Sequence, residues 1–331
     1  PNPPKNKTDD VVYMECLELK VFLPRAFSLF FHSGQLVNVI WGPRKFAGAA
    51  LGDDDDDEEA KGCIYDHDLT KKWVKDGRCR IISTTKENGK FAVMNFFLVE
   101  GELYVSFGSK NMHYTCLLAD MEKFLQTESL SDIVVSVGED IIRIKDRLLK
   151  FMPYFLGGYC LAGELCDGMH FTPGNGTVTW FGLFKEGIAM NTLQSIEMLK
   201  AAGIQVVEAE EVFSPGDTLE KLSDVFALAK CRIDEGCVLY IENTITKKMQ
   251  LAKVKSARYK LLRALREKIK NLRPDIYDKY RDRVIDMKDY HGLNTSAAVR
   301  ATMVAFAFIE YLFVENSLPA KCVDFMPIES V

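Results

Sequence analysis

Lys86 opens the run Lys86-Glu87-Asn88-Gly89, directly after the strand-like stretch Arg80-Ile81-Ile82-Ser83-Thr84-Thr85. A lysine exposed at a turn can act as a nucleophile once its ammonium has lost a proton. A glycine three positions on allows the turn and a close approach of backbone to ligand. Far downstream, Asp234-Glu235-Gly236-Cys237-Val238-Leu239-Tyr240 joins a carboxylate to an apolar run, and Lys253-Val254-Lys255 follows one short hairpin later. Side chains alternate along a strand, so Lys253 and Lys255 share a face. A nucleophilic lysine, a carboxylate suited to an oxygen-seeking cation and two further cations are the groups that attack on a nucleoside triphosphate requires.

Two carboxylates compete for the cation, Glu186 in Lys185-Glu186-Gly187-Ile188 and Glu235. Glu235 is the better candidate, because a strand-like run follows it and Lys253 and Lys255 lie one hairpin away. Other chemistries lack their signatures. The glycines between 42 and 48 are not followed by Lys-Ser/Thr, so there is no phosphate-binding loop of the Walker type, and no Gly-x-Gly-x-x-Gly follows a strand. Nine cysteines without a Cys-x-x-Cys argue against zinc and against a disulfide framework, and point to an intracellular, reducing compartment, cytoplasmic or nuclear. The five histidines, at 32, 67, 113, 170 and 291, form no metal-binding cluster motif. The start, Pro1-Asn2-Pro3-Pro4-Lys5, has no apolar core of a signal peptide, and the apolar stretch 301–314 is too short to span a bilayer. No membrane partner is expected.

The elements that must position these residues form an α+β pattern. Strands are expected at 80–85, 91–99 and 103–107, with a hairpin turn at Glu100-Gly101-Glu102. Residues 117–149 read as largely helical. Strands follow at 159–165 and 177–184, a helix at 193–202, a strand at 205–207 and a helix at 218–230. Trp180 and Phe184 are expected on one strand face and Phe181 on the other. After Lys255, Tyr259, Leu262, Leu265, Ile269 and Leu272 recur at helical spacing. The chain thus divides into a disordered N-terminus over 1–10, a body over 11–258 with a solvated acidic loop at 52–61, and a small all-helical C-terminal domain over 259–331.

Charge is unevenly spread. The net charge is −5, and residues 53–59 alone carry −7. Between Lys247 and Asp289 there are 15 Lys/Arg against 6 Asp/Glu. Such a basic stretch fits an anionic polymer.

The ordered set Lys86-x-x-Gly89, Glu164, Trp180-Phe181, Glu235-Gly236 and Lys253-x-Lys255 resembles the covalent nucleotidyltransferase superfamily of polynucleotide ligases and capping enzymes. Within it the chain is most similar to ATP-dependent RNA ligases, above all the ligase domain of fungal-type tRNA ligases and the phage RNA ligase 1 group. The superfamily usually carries Asp where Asn88 stands; fungal-type tRNA ligases are similar in having Asn. Pro24-Arg25-Ala26-Phe27 and Gly42-Pro43-Arg44-Lys45-Phe46 resemble the N-terminal block of that branch. The likeness spans residues 20–265.

The resemblance implies a nucleotidyltransferase domain, ATP-grasp-like, of antiparallel sheets flanked by helices. It implies an RNA ligase (ATP) of the EC 6.5.1.3 type, acting in RNA repair or tRNA splicing. Lys86 would take AMP from ATP as a lysyl-AMP and pass it to a 5′-phosphate of RNA; a 3′-hydroxyl would then expel AMP. Lys86, Glu235, Lys253 and Lys255 would be catalytic. Glu87, Asn88, Gly89, Glu164, Trp180 and Phe181 would bind the nucleotide, with Trp180 the favoured ring against adenine. Lys110, Arg44 and Lys45 would contact phosphates or RNA. Glu235 and Glu164 would hold Mg²⁺ or Mn²⁺. Partners would be RNA ends and separate end-healing enzymes, with the chain a monomer. The alternatives are a DNA ligase or capping guanylyltransferase of the same superfamily, which carry a β-barrel after the lysine pair, or a non-catalytic RNA-binding relative. The 76 residues after Lys255 look helical instead.

Overall fold

The computed structural model describes residues 26–43, 47–48, 65–126, 130–166, 176–256, 259–260 and 263, and all that follows concerns these. The segment 1–10, the acidic loop 52–61, Arg44, Lys45 and nearly all of 259–331 lie outside them. They form two compact units. Of the described residues, the first takes in those up to Tyr65, Lys90–Leu165 and Gly176–Ala209; the second takes in Asp66–Gly89, Cys166 and those from Glu210 onward.

Besides the two-residue strand Ala47–Gly48, the strands in chain order are β1 (Phe27–His32), β2 (Gln35–Trp41), β3 (Cys79–Thr85), β4 (Lys90–Val99), β5 (Glu102–Gly108), β6 (His113–Leu117), β7 (Cys160–Cys166), β8 (Thr177–Lys185), β9 (Ile188–Ala189), β10 (Ala209–Phe213), β11 (Gly236–Asn243) and β12 (Met249–Lys255). The helices are α1 (His67–Lys75), α2 (Met121–Leu125), α3 (Asp132–Leu148), α4 (Met152–Leu156), α5 (Thr192–Ala201) and α6 (Leu219–Lys230). The expected mixture of antiparallel strands and helices is what forms.

The first unit holds a six-stranded sheet in the order β9-β8-β7-β4-β5-β6 and the hairpin β1-β2. β4 and β5 join through Glu100 and Gly101, both at positive φ (51° and 87°), the twist a two-residue hairpin favours. One face is covered by α3, which buries Val134, Val137, Ile141, Ile144 and Leu148 at helical spacing. They pack with Met94, Phe96, Val105, Phe107, Leu161 and Trp180. On the other face Val93, Ala162 and Phe184 pack with Ile40 of β2, and Asn38 and Asn95 exchange side-chain hydrogen bonds of 3.0 Å. The strand expected at 205–207 is a single parallel bridge, Trp180 to Val206.

Within the second unit the strand order is β10-β3-β11-β12. β11 pairs antiparallel with both neighbours: Val238 lies opposite Thr84 and Lys253, and Gly236 opposite Lys255. Gln250 of β12 ties α1 to the sheet, accepting from Asp66 N at 2.8 Å and donating to Thr70 Oγ1 at 3.1 Å. Asp66 caps α1 by accepting from Leu69 N at 2.8 Å. α6 buries Leu222, Val225 and Ala229 and starts at the cap Thr218.

Candidate functional site

β3 ends at Thr85, so Lys86 stands at the sheet's end beside the first residues of β11 and the last of β12. Lys86 N donates to Gly236 O at 3.0 Å, and Ser256 N donates to Glu235 O at 2.8 Å. The chain thus holds Glu235-Gly236 between the segments that carry Lys86 and Lys255. Gly236 has φ of 138°, a conformation that favours glycine. A Cβ there would stand 2.0 Å from Val254 O, so the close approach of β11 to β12 demands glycine. Glu235 stands just before β11, next to this unusual backbone position.

The outcome is an ion pair: Lys86 Nζ lies 2.5 Å from Glu235 Oε1. Glu235 is 4% exposed, while the Lys86 side chain keeps 21% of its surface. The second carboxylate oxygen, Oε2, is buried with no hydrogen-bond partner. Strand register puts Lys253 and Lys255 on the face shared by Thr84, Val238 and Gly236. Lys255 is 7% exposed, well below what an ordinary surface lysine shows.

Glu87 follows the nucleophile candidate and faces several charges. Burial pushes its carboxyl above the ordinary range, and the negative charges of Asp234 and Glu235 push the same way; the Cys166 thiol and Lys86 pull it back. Cys166 Sγ donates to Glu87 Oε2 at 3.7 Å. Asn88 is buried and Gly89 lies in a bend, after which the chain enters β4.

An oxygen-preferring cation finds one suitable donor in this cluster, the unpartnered Oε2 of Glu235. Among the described residues no group of three or more His, Cys, Asp or Glu is placed to hold a metal. The residues present fit a cation such as Mg²⁺, which takes few protein ligands and completes its shell with water and phosphate oxygens.

The fold is that of a solved archaeal ATP-dependent RNA ligase. Form 2 of that ligase superposes with a TM-score of 0.50 at 10% identity, over 89% of this chain and 70% of the other. Form 1 gives 0.48 at 13% identity over 88% and 69%. The Naegleria gruberi RNA ligase with PPi gives 0.37 at 12% identity over 67% and 64%. No family model and no curated protein matches the chain.

The remaining candidates fall in the first unit. Glu164 pairs with Phe91 across β7 and β4, on the face opposite α3, where Phe181 also packs. Trp180 does not belong there. It is 0% exposed and sits in the core under α3, so its ring has no face left for a nucleotide base. Gly163 makes that burial possible, since a Cβ would stand 3.0 Å from the Trp180 ring. The expected pairing of Trp180 with Phe184 also fails. Trp180 and Leu183 face α3, whereas Phe181 and Phe184 face the other way. The alternation slips at Gly182, whose φ is 140° and where a Cβ would lie 2.8 Å from Ser195 Oγ.

Lys110 lies in the tight β5-β6 turn, where Ser109 N donates to Met112 O at 2.8 Å. Glu186, the discarded carboxylate, is exposed in a turn with Gly187, both at positive φ. Sequence reasoning missed Arg232, Asp234 and Ser256. Arg232 Nη2 donates to Asp234 Oδ2 at 2.6 Å, and Ser256 Oγ donates to Asp234 O at 2.6 Å. A serine just past a strand and three residues before Tyr259 was a readable helix-cap signal.

Proposed function

We propose that the chain is an ATP-dependent RNA ligase that works through a covalent lysyl-AMP. The observation that carries this reading is the pairing of Lys86 Nζ with Glu235 Oε1 at the end of a sheet whose same face bears Lys253 and Lys255. The fold likeness to the archaeal ligase supports it.

In the first step Lys86 Nζ attacks the α-phosphorus of ATP. A P–N bond forms, the bond to the bridging oxygen breaks and pyrophosphate leaves. The ammonium must first lose a proton, and Glu235 Oε1 stands at hydrogen-bond distance to receive it. Lys253 and Lys255 offset the charge that builds on the phosphoryl oxygens. A bound Mg²⁺ or Mn²⁺ would neutralise phosphate charge further, with Glu235 as its protein ligand and Glu164 assigned to it by resemblance. In the second step a 5′-phosphate of RNA attacks the lysyl-AMP phosphorus and frees Lys86. In the third a 3′-hydroxyl attacks the activated 5′-phosphate, forming the phosphodiester and expelling AMP.

By resemblance, Glu87, Asn88, Gly89 and Phe181 are the nucleotide contacts. Lys110, Arg44 and Lys45 contact phosphate or RNA. Asn88 favours the fungal-type tRNA ligase and phage RNA ligase 1 branch, and hence a role in tRNA splicing or RNA repair alongside separate healing enzymes.

The test is incubation with α-labelled ATP and Mg²⁺ or Mn²⁺, followed by denaturation. A label that survives denaturation and is absent in Lys86→Ala, together with sealing of 5′-phosphate RNA to a 3′-hydroxyl end, is expected. Labelling by GTP alone would point to a capping enzyme. No adduct at all would leave a non-catalytic relative.

A further inference from the structure

Resting on the ligase reading, we infer that Ser256 is a positioning residue that sets the Glu235 carboxylate against Lys86. Ser256 is fully buried and lies immediately after Lys255. Its backbone N–H donates to Glu235 O at 2.8 Å. Its hydroxyl donates to Asp234 O at 2.6 Å and accepts from Tyr259 N at 3.1 Å. Its carbonyl accepts from Lys260 N at 3.1 Å. One residue therefore clamps both peptide groups that precede Gly236 and begins the helical turn that leaves the sheet.

The far side of the same turn is held by Asp234. Its Oδ1 accepts from Gly236 N at 3.0 Å and from Arg232 Nε at 2.9 Å. Gly236 in turn accepts from Lys86 N through its carbonyl. The backbone from 234 to 236 is thus fixed from both sides, and the direction of the Glu235 side chain follows from it. A helix cap needs the hydroxyl of Ser256 only as an acceptor. The donor contact to Asp234 O is additional, and it ties the acid to the strand that carries the two lysines.

Replacing the hydroxyl leaves Asp234 O and Tyr259 N without their partner in a buried place. The turn then relaxes, and a displacement of about 1 Å at a reacting group costs roughly 100-fold in rate. Ser256 touches neither Lys86 nor phosphate in this scheme, so its loss should slow the chemical step without weakening ATP binding.

The experiment is single-turnover formation of the lysyl-AMP by the full chain, for wild type, Ser256→Ala, Asp234→Ala and the double variant. Ser256→Ala is expected to lower the rate at saturating ATP about 10- to 100-fold, with the half-saturating ATP concentration within about 3-fold of wild type. Asp234→Ala, on the more exposed side of the turn, should show the same pattern. The double variant should be little worse than the slower single one, because both act on one turn. Should Ser256→Ala fail to fold, Asp234→Ala alone carries the test. A wild-type rate in the folded variants, or a loss confined to ATP affinity, would overturn the positioning role. A wild-type chain that forms no adduct would instead overturn the ligase reading and this inference with it.

Discussion

Each unit buries an acid beside a base, and the two pairs are built differently. In the first unit Asp140 pairs with Arg143, one turn along the same helix. Burial pushes the Asp140 carboxyl up; Arg143, the Val178 N–H and the Trp180 indole pull it back. Every group in that cluster belongs to α3 or to the strand beneath it, so the charge is spent on seating a helix. In the second unit Glu235 pairs with Lys86, 149 positions away in the sequence, and no helix periodicity brings them together. The contact depends on the register in which β3 and β11 pair, next to the positive-φ position of Gly236. Each acid leaves one buried oxygen without a hydrogen-bond partner, Asp140 Oδ2 and Glu235 Oε2, but only the latter lies at the end of a lysine-bearing sheet face. A local acid–base pair packed against a core serves the fold, whereas a long-range pair at a sheet's end, flanked by further cations, is poised for a substrate.

The sharpest way to break this contrast is to exchange the expected phenotypes. Trp180→Ala should cost about 3–5 kcal/mol of stability, the scale of removing a buried tryptophan, read as a lower urea midpoint. The molecules that remain folded should still form adduct. Glu235→Ala should do the reverse, cutting adduct formation roughly 100- to 1000-fold while the folded state survives. If Trp180→Ala instead kept its stability and raised the ATP concentration needed, Trp180 would be the base-stacking ring after all, and the contrast would fail.

A finer version compares the two lysines of β12. Lys255 is nearly buried and opposite Gly236, whereas Lys253 is only partly buried, opposite Val238 and one step further from Lys86 along the sheet. A cation shielded from water acts on a nearby phosphoryl group more strongly than one in solvent. Lys255→Ala should therefore slow single-turnover adduct formation about 10- to 100-fold, and Lys253→Ala by a smaller factor. Equal losses would mean that burial does not rank the two.

Much of this was legible in advance, for reasons that also explain what was not. β3, β4, β5, β7, β8 and β11 come from runs of alternating or continuous apolar residues, which periodicity detects. Glu235 with Lys253 and Lys255 was readable because a hairpin makes neighbours in space of neighbours in sequence. Trp180 and Phe181 do face opposite ways, but Phe184 was placed on the wrong face because alternation was assumed to run unbroken through Gly182, where the structure shows it slip. β6, at 113–117, escaped because His113-Tyr114-Thr115-Cys116-Leu117 is short and shows no clean alternation. Ser256 escaped because its partners, Asp234 and Glu235, are set by β11-β12 register rather than by spacing.

The smallest expected effect probes the electrostatics around the nucleophile candidate. Glu87 is half-buried among Asp234 and Glu235, and its carboxyl is held above the ordinary value of 4.5. The folded state therefore binds this proton more tightly than the unfolded chain does. Linkage then requires that the contribution of Glu87 to stability falls as pH rises from about 4.5 through the folded-state value. Glu87→Gln keeps the shape and removes the charge. It should raise stability at pH 7 by on the order of 0.5–1 kcal/mol, the usual scale for relieving a poorly placed charge. Near pH 4, where the wild-type carboxyl is already protonated, the gain should vanish. Urea midpoints at the two pH values measure this. A variant less stable than wild type at pH 7 would mean that Lys86 and the Cys166 thiol hold the ionised Glu87 more firmly than burial and its acidic neighbours oppose it, and the second unit would then depend on charge for its fold as well as for its chemistry.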